Sequence, residues 1–382
     1  MTVRKAVRIL GIRGIPDRHG GFESFAQDLA PFLARRGWDV TVYCQEPHGE
    51  TREDWWQGVR LVRIPSSQRG AVGTIAFDWR STRHASRSRA LVLVLGYNTA
   101  IFNAAYRLRG IPSLLNMDGV EWRRQKYNWL QRAWLLVNER IGPRLADYLV
   151  ADHPVIEARY AAWRGVGPVA MVPYGARAVY AADSRVLARW QLTSHRYALV
   201  IARPEPENSI VEIVRAWSER LRGQPLVVLG SYDRRIAYQR RVLDAAGGEV
   251  VFPGAIYERA SVDALRRFAT LYIHGHQVGG TNPSLVEALG AAAAVLAHDN
   301  AFNRWVCADA AVFFRDERQL AIQLDRLLTD ESQPVLRALR HRARLRHGSA
   351  FDLDRRLLEY EQVLLAALDH RLPASQNRSD AA

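Results

Sequence analysis

The fold is indicated by a strand, a glycine-rich turn and a helix that follow one another in residues 6–37, AVRILGIRGIPDRHGGFESFAQDLAPFLARRG. The apolar run Ala6–Gly11 is short and continuous, which is typical of a strand buried on both faces of a parallel sheet. An amphipathic stretch, Phe22–Arg36, comes next, and Gly37 stands where a helix C-terminal cap is expected. These residues predict a strand–loop–helix unit with a polar loop between strand and helix.

The same alternation of apolar runs and helical patterns repeats along the chain in two series. It predicts two doubly wound, Rossmann-like α/β domains that face each other across a cleft. We place the first domain at residues 1–178 and the second at 179–349. We expect a helix within 350–370 that packs back on the first domain, and a disordered tail at 373–382. The further predicted strands are Val40–Cys44, Val59–Ile64, Leu91–Gly96, Ser113–Met117, Tyr148–Ala151 and Val169–Val172, then Ala198–Ala202, Pro225–Leu229, Glu249–Phe252, Thr270–Ile273, Ala294–Ala297 and Ala311–Phe314.

The composition favours anionic partners. Among 382 residues, 53 Lys and Arg against 39 Asp and Glu leave a net charge of +14. Nucleotides, nucleic acid and acidic lipid headgroups all fit such a charge, although genome composition is an alternative source of the arginines. The two cysteines, Cys44 and Cys307, have no metal-like spacing, which predicts a reducing, cytoplasmic setting without a disulfide or zinc site. No apolar run reaches the roughly 18–20 residues of a membrane span.

The loop after the first strand ends in Gly20 and Gly21, directly before the first helix. Glycines there let backbone N–H groups approach a phosphate, and the helix dipole favours an anion. The spacing is not the G-x-G-x-x-G pattern of dinucleotide enzymes, which disfavours NAD. Gly20 and Gly21 are therefore phosphate-binding candidates, with a plain turn as the alternative.

A second polar loop, residues 116–127 (NMDGVEWRRQKY), follows the fifth predicted strand. Two carboxylates, three cations and two aromatic rings at the carboxyl end of a strand predict a substrate loop. The alternative is a solvated helix start that Asp118 caps.

In the second series, Arg203 follows the strand Ala198–Ala202, where a guanidinium can hold a diphosphate. A surface salt bridge with Glu205 or Glu207 is the alternative. Residues 279–287 (GGTNPSLVE) follow another strand and begin a helix.

That helix start has the features of an anion site. Pro283 suits the first helical turn, Thr281 or Asn282 can cap it, and the free N–H groups can bind a diphosphate. Glu287 lies one turn into the helix, within reach of a ribose hydroxyl. A salt bridge at the edge of the core is the alternative for Glu287.

Together these motifs resemble retaining GT-B glycosyltransferases of family 4, and more closely the bacterial rhamnosyltransferase-like branch that builds cell-wall and capsular polysaccharide. The resemblance extends from about residue 6 to about 345. Two positions depart from the broader family: Gly279 stands where a glutamate usually contacts the donor sugar, and Asn208 stands where a lysine usually follows the arginine. The matching motifs are Arg13-Gly14-Ile15-Pro16 with Gly20-Gly21-Phe22-Glu23, Asp118-Gly119-x-Glu121-Trp122, Arg203 with Glu205-Pro206-Glu207-Asn208, and Gly280-Thr281-Asn282-Pro283-Ser284-Leu285-x-Glu287-Ala288.

The resemblance implies a hexosyltransferase that moves a sugar with retention, without a cofactor or required metal. It implies L-rhamnose from dTDP-rhamnose as the donor, with UDP-glucose, UDP-GlcNAc or GDP-mannose as alternatives. The catalytic candidates are Asp118, Arg203 and Glu287. The donor-binding candidates are Gly20, Gly21, Arg203, Arg240, Arg241, Gly280, Thr281, Asn282, Ser284 and Glu287, and the acceptor-binding candidates are Glu23, Asp118, Glu121, Arg123, Lys126 and His153. A structural histidine is the alternative for His153.

Charge and resemblance together predict the acceptor, a lipid-diphosphate-linked GlcNAc or a growing polysaccharide. Arginines at 80, 83, 87 and 89 and the Trp- and Arg-rich segment 122–134 have the composition of a peripheral membrane surface. They predict a cytoplasmic protein at the inner face of the cell membrane. A solvated helix with core tryptophans is the alternative.

Two other classes of protein remain open from the sequence. The charge and aromatic content also fit a nucleic-acid-binding protein, although no recognition motif or basic tail supports one. A sugar-nucleotide epimerase has the same two-domain build, and a product assay without acceptor would separate it from a transferase.

Overall fold

The computed structural model describes residues 5–16, 20–66, 70–117, 119–124, 127–163 and 165–369. The predicted tail 373–382 and the candidates Asp118 and Lys126 lie outside these ranges. The chain divides into two compact units. One comprises the residues up to Arg123, Tyr127–Pro173 and the segment from Asp354 onward, and the other is built mainly from Tyr174–Leu353.

The sheet of the first unit has, among the described residues, eight strands in the order β3-β4-β2-β1-β5-β6-β7-β8. Its strands are parallel except for the antiparallel pair β3 and β4. The sequence did not predict β3, because this polar edge strand lacks the apolar run of a buried strand. The strands are β1 Ala6–Leu10, β2 Asp39–Glu46, β3 Arg52–Trp56, β4 Val59–Pro65, β5 Leu91–Leu95, β6 Ser113–Met117, β7 Tyr148–Ala151 and β8 Val169–Met171.

Helices cover this sheet because each has an apolar face. In the first of them, α1, the buried side includes Ala26, Leu29, Ala30 and Leu33, at helical spacing. The helix ends at Arg35 with Arg36, rather than Gly37, as its C-terminal cap; Gly37 follows with a φ of +83°, which glycine readily adopts. The helices are α1 Gly21–Arg35, α2 Gly70–Ala85, α3 Ala104–Arg107, α4 Trp129–Leu145 and α5 Pro154–Ala161.

The second unit contains a six-stranded sheet in the order β11-β10-β9-β12-β13-β14, parallel throughout the described residues. Alternate residues of each strand enter two separate cores, one on each face: Leu199 and Tyr272 pack in one, Val200 and Ile273 in the other. Burial on both faces explains why these strands are continuous apolar runs. The strands are β9 Ala198–Ile201, β10 Leu226–Leu229, β11 Val250–Val251, β12 Leu271–His274, β13 Val295–His298 and β14 Ala311–Phe314.

The helices of this unit are α6 Ile210–Ser218, α7 Ala237–Asp244, α8 Arg259–Phe268, α9 Pro283–Gly290, α10 Ala301–Cys307, α11 Glu317–Leu327 and α12 Gln333–Ala350. The last helix, α13 (Leu353–Leu368), returns to the first unit. Its buried Glu361 accepts a hydrogen bond from the Trp38 indole at 3.0 Å and pairs with Arg36. The prediction of a mixed α/β fold with parallel sheets is confirmed.

Candidate functional site

The strand order of the second unit places a topological switch point between β9 and β12. From β9 the chain moves outward to β10 and β11, and from β12 it moves outward in the opposite direction. Ligands bind in open α/β sheets at the carboxyl ends of such a strand pair. The segments that leave these ends are residues 202–209 and 275–282. They contain four of the donor-binding candidates predicted from the sequence: Arg203, Gly280, Thr281 and Asn282.

The two segments are joined by hydrogen bonds. The Gln277 N–H donates to the Glu207 carbonyl oxygen at 2.9 Å, and the Ser209 hydroxyl donates to the Gly275 carbonyl oxygen at 2.8 Å. A side chain at Gly275 would place its Cβ 2.3 Å from the Asn208 carbonyl oxygen. The segments therefore touch backbone to backbone and form one polar surface at the edge of the sheet.

Arg203 lies in the first of these segments, with its side chain exposed. Its carbonyl oxygen accepts a hydrogen bond from the Asn208 side chain at 2.8 Å, which braces the turn that follows β9. The pKa of His276 is lowered mainly by burial and, next in size, by the positive charge of Arg203. Arg203 and the segment after β12 are therefore close together.

The start of α9 completes this surface. Asn282, rather than Thr281, is the helix cap: its side-chain oxygen accepts the Ser284 N–H at 3.0 Å. The Ser284 hydroxyl shares a 2.7 Å hydrogen bond with the Tyr272 hydroxyl and donates to the Ile201 carbonyl oxygen at 3.4 Å. These bonds fix the helix start against both β9 and β12.

Glu287 forms an ion pair with the buried Arg266, which also donates to the Ser284 hydroxyl at 3.3 Å. The salt bridge that the sequence left as an alternative is thus present. The Glu287 side chain remains 35% exposed, so the pair orients the carboxylate without enclosing it.

Arg240 and Arg241 lie on α7, and both are exposed. On the same helix, the Tyr238 hydroxyl accepts the N–H groups of Ile210 and Val211 at 3.2 and 3.5 Å. The two arginines therefore lie near the start of α6, and no hydrogen bond or ion pair among the described residues joins them to the loop 275–282.

Two histidines that the sequence analysis did not select also lie at this edge. His274 is the last residue of β12, is 1% exposed, and stacks on His276 with ring centroids 4.2 Å apart. Burial lowers the pKa of His276 to about 3, and burial together with the neighbouring His276 and His298 holds the pKa of His274 well below its usual value. Both rings are therefore neutral at physiological pH. Their position at the carboxyl end of a strand, in His274-Gly275-His276, was the available sequence signal.

In the first unit, Gly20 is the residue that precedes α1 and Gly21 is the first residue of that helix. The Glu23 carboxylate folds back over this start and accepts the Arg13 N–H at 3.1 Å. A Cβ at Gly20 would lie 2.1 Å from a Glu23 oxygen, so a larger residue there would require the Glu23 side chain to move. The Glu23 carboxylate therefore lies beside the helix start that the sequence predicted as a phosphate site.

The loop after β6 is organised by buried groups. Glu121 is buried; its N–H donates to the Tyr97 hydroxyl at 2.7 Å, and its carboxylate accepts the Tyr127 hydroxyl at 3.3 Å. Trp122 donates its indole N–H to the fully buried Glu139 at 2.9 Å, and the exposed Arg123 lies over the Trp122 ring. The loop is therefore anchored through Glu121 and Trp122, while Arg123 faces solvent.

His153 is fully buried and caps α5: its Nδ1 accepts the Val155 N–H at 3.1 Å. This contact gives His153 a structural role, the alternative that the sequence left open. Nearby in the same sheet, Asn116 of β6 donates to the Tyr360 hydroxyl of α13 at 3.0 Å, which ties the C-terminal helix to the strand ends.

Residues 20–175 match a family model described as "Glycosyl transferase 4-like domain". Solved structures match nearly the whole chain. Sucrose-phosphate synthase from Thermosynechococcus elongatus shares 16% identity at a TM-score of 0.78 and covers 96% of this chain and 100% of its own. A UDP-forming α,α-trehalose-phosphate synthase from Burkholderia vietnamiensis shares 13% identity at a TM-score of 0.74, covering 98% of this chain and 100% of its own. A glycosyltransferase from Rickettsia africae shares 11% identity at a TM-score of 0.69, covering 96% and 99%.

A search of curated proteins finds no significant match to the sequence. The solved structures confirm the predicted GT-B fold. The family match indicates a glycosyltransferase-type domain over residues 20–175. Among the described residues, no group of three or more His, Cys, Asp and Glu side chains is arranged to hold a metal ion. No helix within the described ranges is long and apolar enough to cross a membrane.

Proposed function

We propose that the protein transfers a sugar, with retention of configuration, from a nucleoside-diphosphate sugar to an acceptor hydroxyl, and that the switch point between β9 and β12 binds the donor. The observation that carries this proposal is the joined surface of residues 202–209, 275–282 and the start of α9 in one unit. It combines an exposed guanidinium, a helix start and an oriented carboxylate, as recognition of a diphosphate and a ribose requires.

Each group has a defined task in this proposal. Negative charge develops on the diphosphate as the glycosidic bond breaks, and Arg203 with the N–H groups around Gly280–Ser284 stabilises it. The Glu287 carboxylate, oriented by Arg266, accepts a ribose hydroxyl. Because Arg203 supplies positive charge at the leaving group, the proposal includes activity without a divalent metal. Turnover that persists in EDTA supports this point, and turnover that requires added Mg²⁺ or Mn²⁺ contradicts it.

Two variants test the donor site. Glu287→Gln removes a charge-assisted hydrogen bond worth about 1.5–3 kcal/mol, so the donor dissociation constant rises by roughly ten- to 150-fold. Arg203→Ala lowers kcat more than it affects folding, because the guanidinium acts on charge that grows in the transition state. An unchanged dissociation constant for Glu287→Gln, or full activity per folded molecule for Arg203→Ala, removes that residue from the site.

The donor itself is proposed to be dTDP-rhamnose, supported by the motif resemblance, with UDP-glucose, UDP-GlcNAc and GDP-mannose as competitors. The Burkholderia synthase is described as UDP-forming, which favours uridine as the alternative base. A donor panel decides between them, read first by thermal shift and then by transfer to a GlcNAc-diphosphate-lipid analogue. Consumption of donor without acceptor would instead favour a sugar-nucleotide epimerase.

The proposed acceptor is a sugar linked to lipid diphosphate, met at the inner face of the cell membrane. Support comes from apolar side chains that the first unit exposes on α2, α3 and α4. Trp129 is 75% exposed, Leu130 59% and Leu108, just after α3, 86%, and Trp79, Val137 and Ile141 are also exposed. The indole N–H groups of Trp122 and Trp134 are not part of this surface. Trp122 donates to the Glu139 carboxylate, and Trp134 donates to the Asn98 carbonyl oxygen.

Exposed arginines lie on or directly after the same helices as these apolar residues. They are Arg80 and Arg83 of α2, Arg87 and Arg89 just after it, Arg107 and Arg109 at α3, and Arg132, Arg140 and Arg144 of α4. Each cation near an anionic bilayer contributes on the order of 1 kcal/mol, screened beyond about 8–10 Å. An anionic lipid surface therefore complements this face in both charge and apolar character.

Co-sedimentation with liposomes tests this surface. Binding is expected to anionic vesicles, to weaken steeply with salt, and to fall in a Trp129→Ala, Leu130→Ser double variant. Leu221→Ser is the matched control, since Leu221 is 83% exposed in the other unit. Equal binding to neutral and anionic vesicles, or no binding at low salt, contradicts the proposal. A gel shift with nucleic acid at physiological salt would favour the nucleic-acid alternative.

A further inference from the structure

Glu207 is a buried carboxylate without a hydrogen-bond partner. It is 5% exposed, and both carboxylate oxygens are shut off from solvent and accept no hydrogen bond from the described residues. Two other buried carboxylates have several donors or a close partner: Glu139 accepts from Trp122, Arg159 and Tyr160, and Glu361 accepts from Trp38. An unpaired buried carboxylate is costly, so Glu207 calls for a ligand that donates hydrogen bonds.

His274 has the same property on the neighbouring strand. Neither of its ring nitrogens has a hydrogen-bond partner among the residues that the structure describes. Stacking on His276 fixes the plane of the ring, and its neutral form offers one N–H donor and one acceptor nitrogen. In His276, Nδ1 is likewise buried without a partner in the described part of the chain.

These groups lie at the same sheet edge as the proposed diphosphate site. Glu207 follows β9 and its carbonyl oxygen accepts the Gln277 N–H, so its backbone contacts the segment that begins directly after His274. Arg203 lies four positions before Glu207 and acts electrostatically on His276. The exposed cation Arg203 thus lies at the same edge as Glu207 and His274, whose buried polar atoms have no hydrogen-bond partner among the described residues.

We infer that Glu207 and His274 bind the ring hydroxyls of the donor sugar, an inference that rests on the proposed function. A diphosphate does not suit Glu207, because two negative charges would meet in a buried place. Neighbouring sugar hydroxyls do suit it, since each donates one hydrogen bond to a carboxylate oxygen. The neutral ring of His274 can accept one hydroxyl and donate to another. Arg203 and the start of α9 then bind the charged half of the donor, and Glu207 with His274 binds the neutral half.

The test compares full nucleotide sugars with their nucleoside diphosphates. Calorimetry on the intact protein gives dissociation constants for dTDP and dTDP-rhamnose, for UDP, UDP-glucose and UDP-GlcNAc, and for GDP and GDP-mannose. In Glu207→Gln, the affinity for the nucleotide sugar that the wild type binds falls about tenfold or more, while that for its nucleoside diphosphate changes less than about twofold. Glu219→Gln, which removes an exposed carboxylate at the end of α6, leaves both constants unchanged.

Stability separates this role from a structural one. Replacing an unpaired buried carboxylate by a neutral amide leaves the melting temperature unchanged or raises it, whereas loss of a structural carboxylate lowers it. His274→Asn provides a second, independent variant if Glu207→Gln folds poorly, and it should show the same selective loss of nucleotide-sugar affinity.

The outcomes are distinct. Wild-type protein that binds none of these nucleoside diphosphates refutes the proposed donor site, and this inference with it. Wild-type protein that binds a nucleoside diphosphate, together with variants that weaken both ligands equally or neither, overturns only the sugar-binding role of Glu207 and His274.

Discussion

Glu139 offers the sharpest test of how the loop after β6 is held. Its side chain is fully buried in α4 and accepts hydrogen bonds from the Trp122 indole at 2.9 Å, from Nε and Nη2 of Arg159 at 3.2 and 3.0 Å, and from the Tyr160 hydroxyl at 3.0 Å. The substitution Glu139→Gln keeps the shape, removes the charge, and points an amide N–H₂ group at these donors.

The expected loss of stability follows from the number of hydrogen bonds that each side chain can accept. A carboxylate can accept all of these bonds, but the single amide oxygen of glutamine accepts about two, so the other donors lose their partner. Removing one partner of a buried ion pair costs about 3–5 kcal/mol. The Arg159 side chain is 27% exposed and regains some hydration, which places the expected loss near the lower end, at about 3 kcal/mol. That is a large share of the roughly 5–15 kcal/mol that stabilises a typical protein.

Urea unfolding followed by circular dichroism measures this loss. About 3 kcal/mol moves the midpoint by roughly 1–3 M. The control is Glu359→Gln in α13 of the same unit, where the carboxylate is 38% exposed, pairs with Arg355 and Arg356, and contributes about 1 kcal/mol or less. Equal shifts in the two variants, or a shift below about 0.3 M for Glu139→Gln, would refute the view that Glu139 anchors this loop.

Two further predictions concern a titrating group and a close backbone contact. Burial raises the pKa of Asp78 to about 7, although a 2.8 Å hydrogen bond from Thr99 opposes the shift. In the unfolded chain the pKa of this carboxyl group is about 4, so the folded state holds the proton more tightly. The free energy of unfolding should therefore fall as pH rises from about 4 to 7 and level off above pH 7. Urea unfolding at several pH values should show a smaller decline for Asp78→Asn than for the wild type. Parallel curves for the two proteins would exclude Asp78 as the source of the decline. Gly275→Ala would place a Cβ 2.3 Å from the Asn208 carbonyl oxygen, so we expect the free energy of unfolding to fall by about 1–3 kcal/mol and nucleotide binding in calorimetry to weaken. Gly248→Ala is the control: Gly248 has open space around it, so both quantities should stay unchanged.

Much of the fold was predictable because a strand buried in a parallel sheet can be recognised from its own apolar residues. Strands such as Ser113–Met117 and Tyr148–Ala151 are mostly apolar and buried throughout, and their predicted bounds agree with the structure. The edge strand Arg52–Trp56 escaped prediction for the same reason, since it pairs on one side and exposes polar residues. Loops that follow strands were equally recognisable, and Arg203 and residues 279–287 were found that way.

The sequence by itself determined where strands, helices and polar loops lie, because neighbouring residues carry that information through the period of their burial. Only the tertiary structure decided which polar groups have partners. Glu361 meets Trp38 across 323 residues of chain, and Glu287 meets Arg266 from another helix, while Glu207 and His274 are buried with no described partner. No local pattern distinguishes a satisfied glutamate from an unsatisfied one. The difference arises when distant segments pack together and exclude water, and at that point a buried, unpaired carboxylate becomes a candidate for binding a ligand.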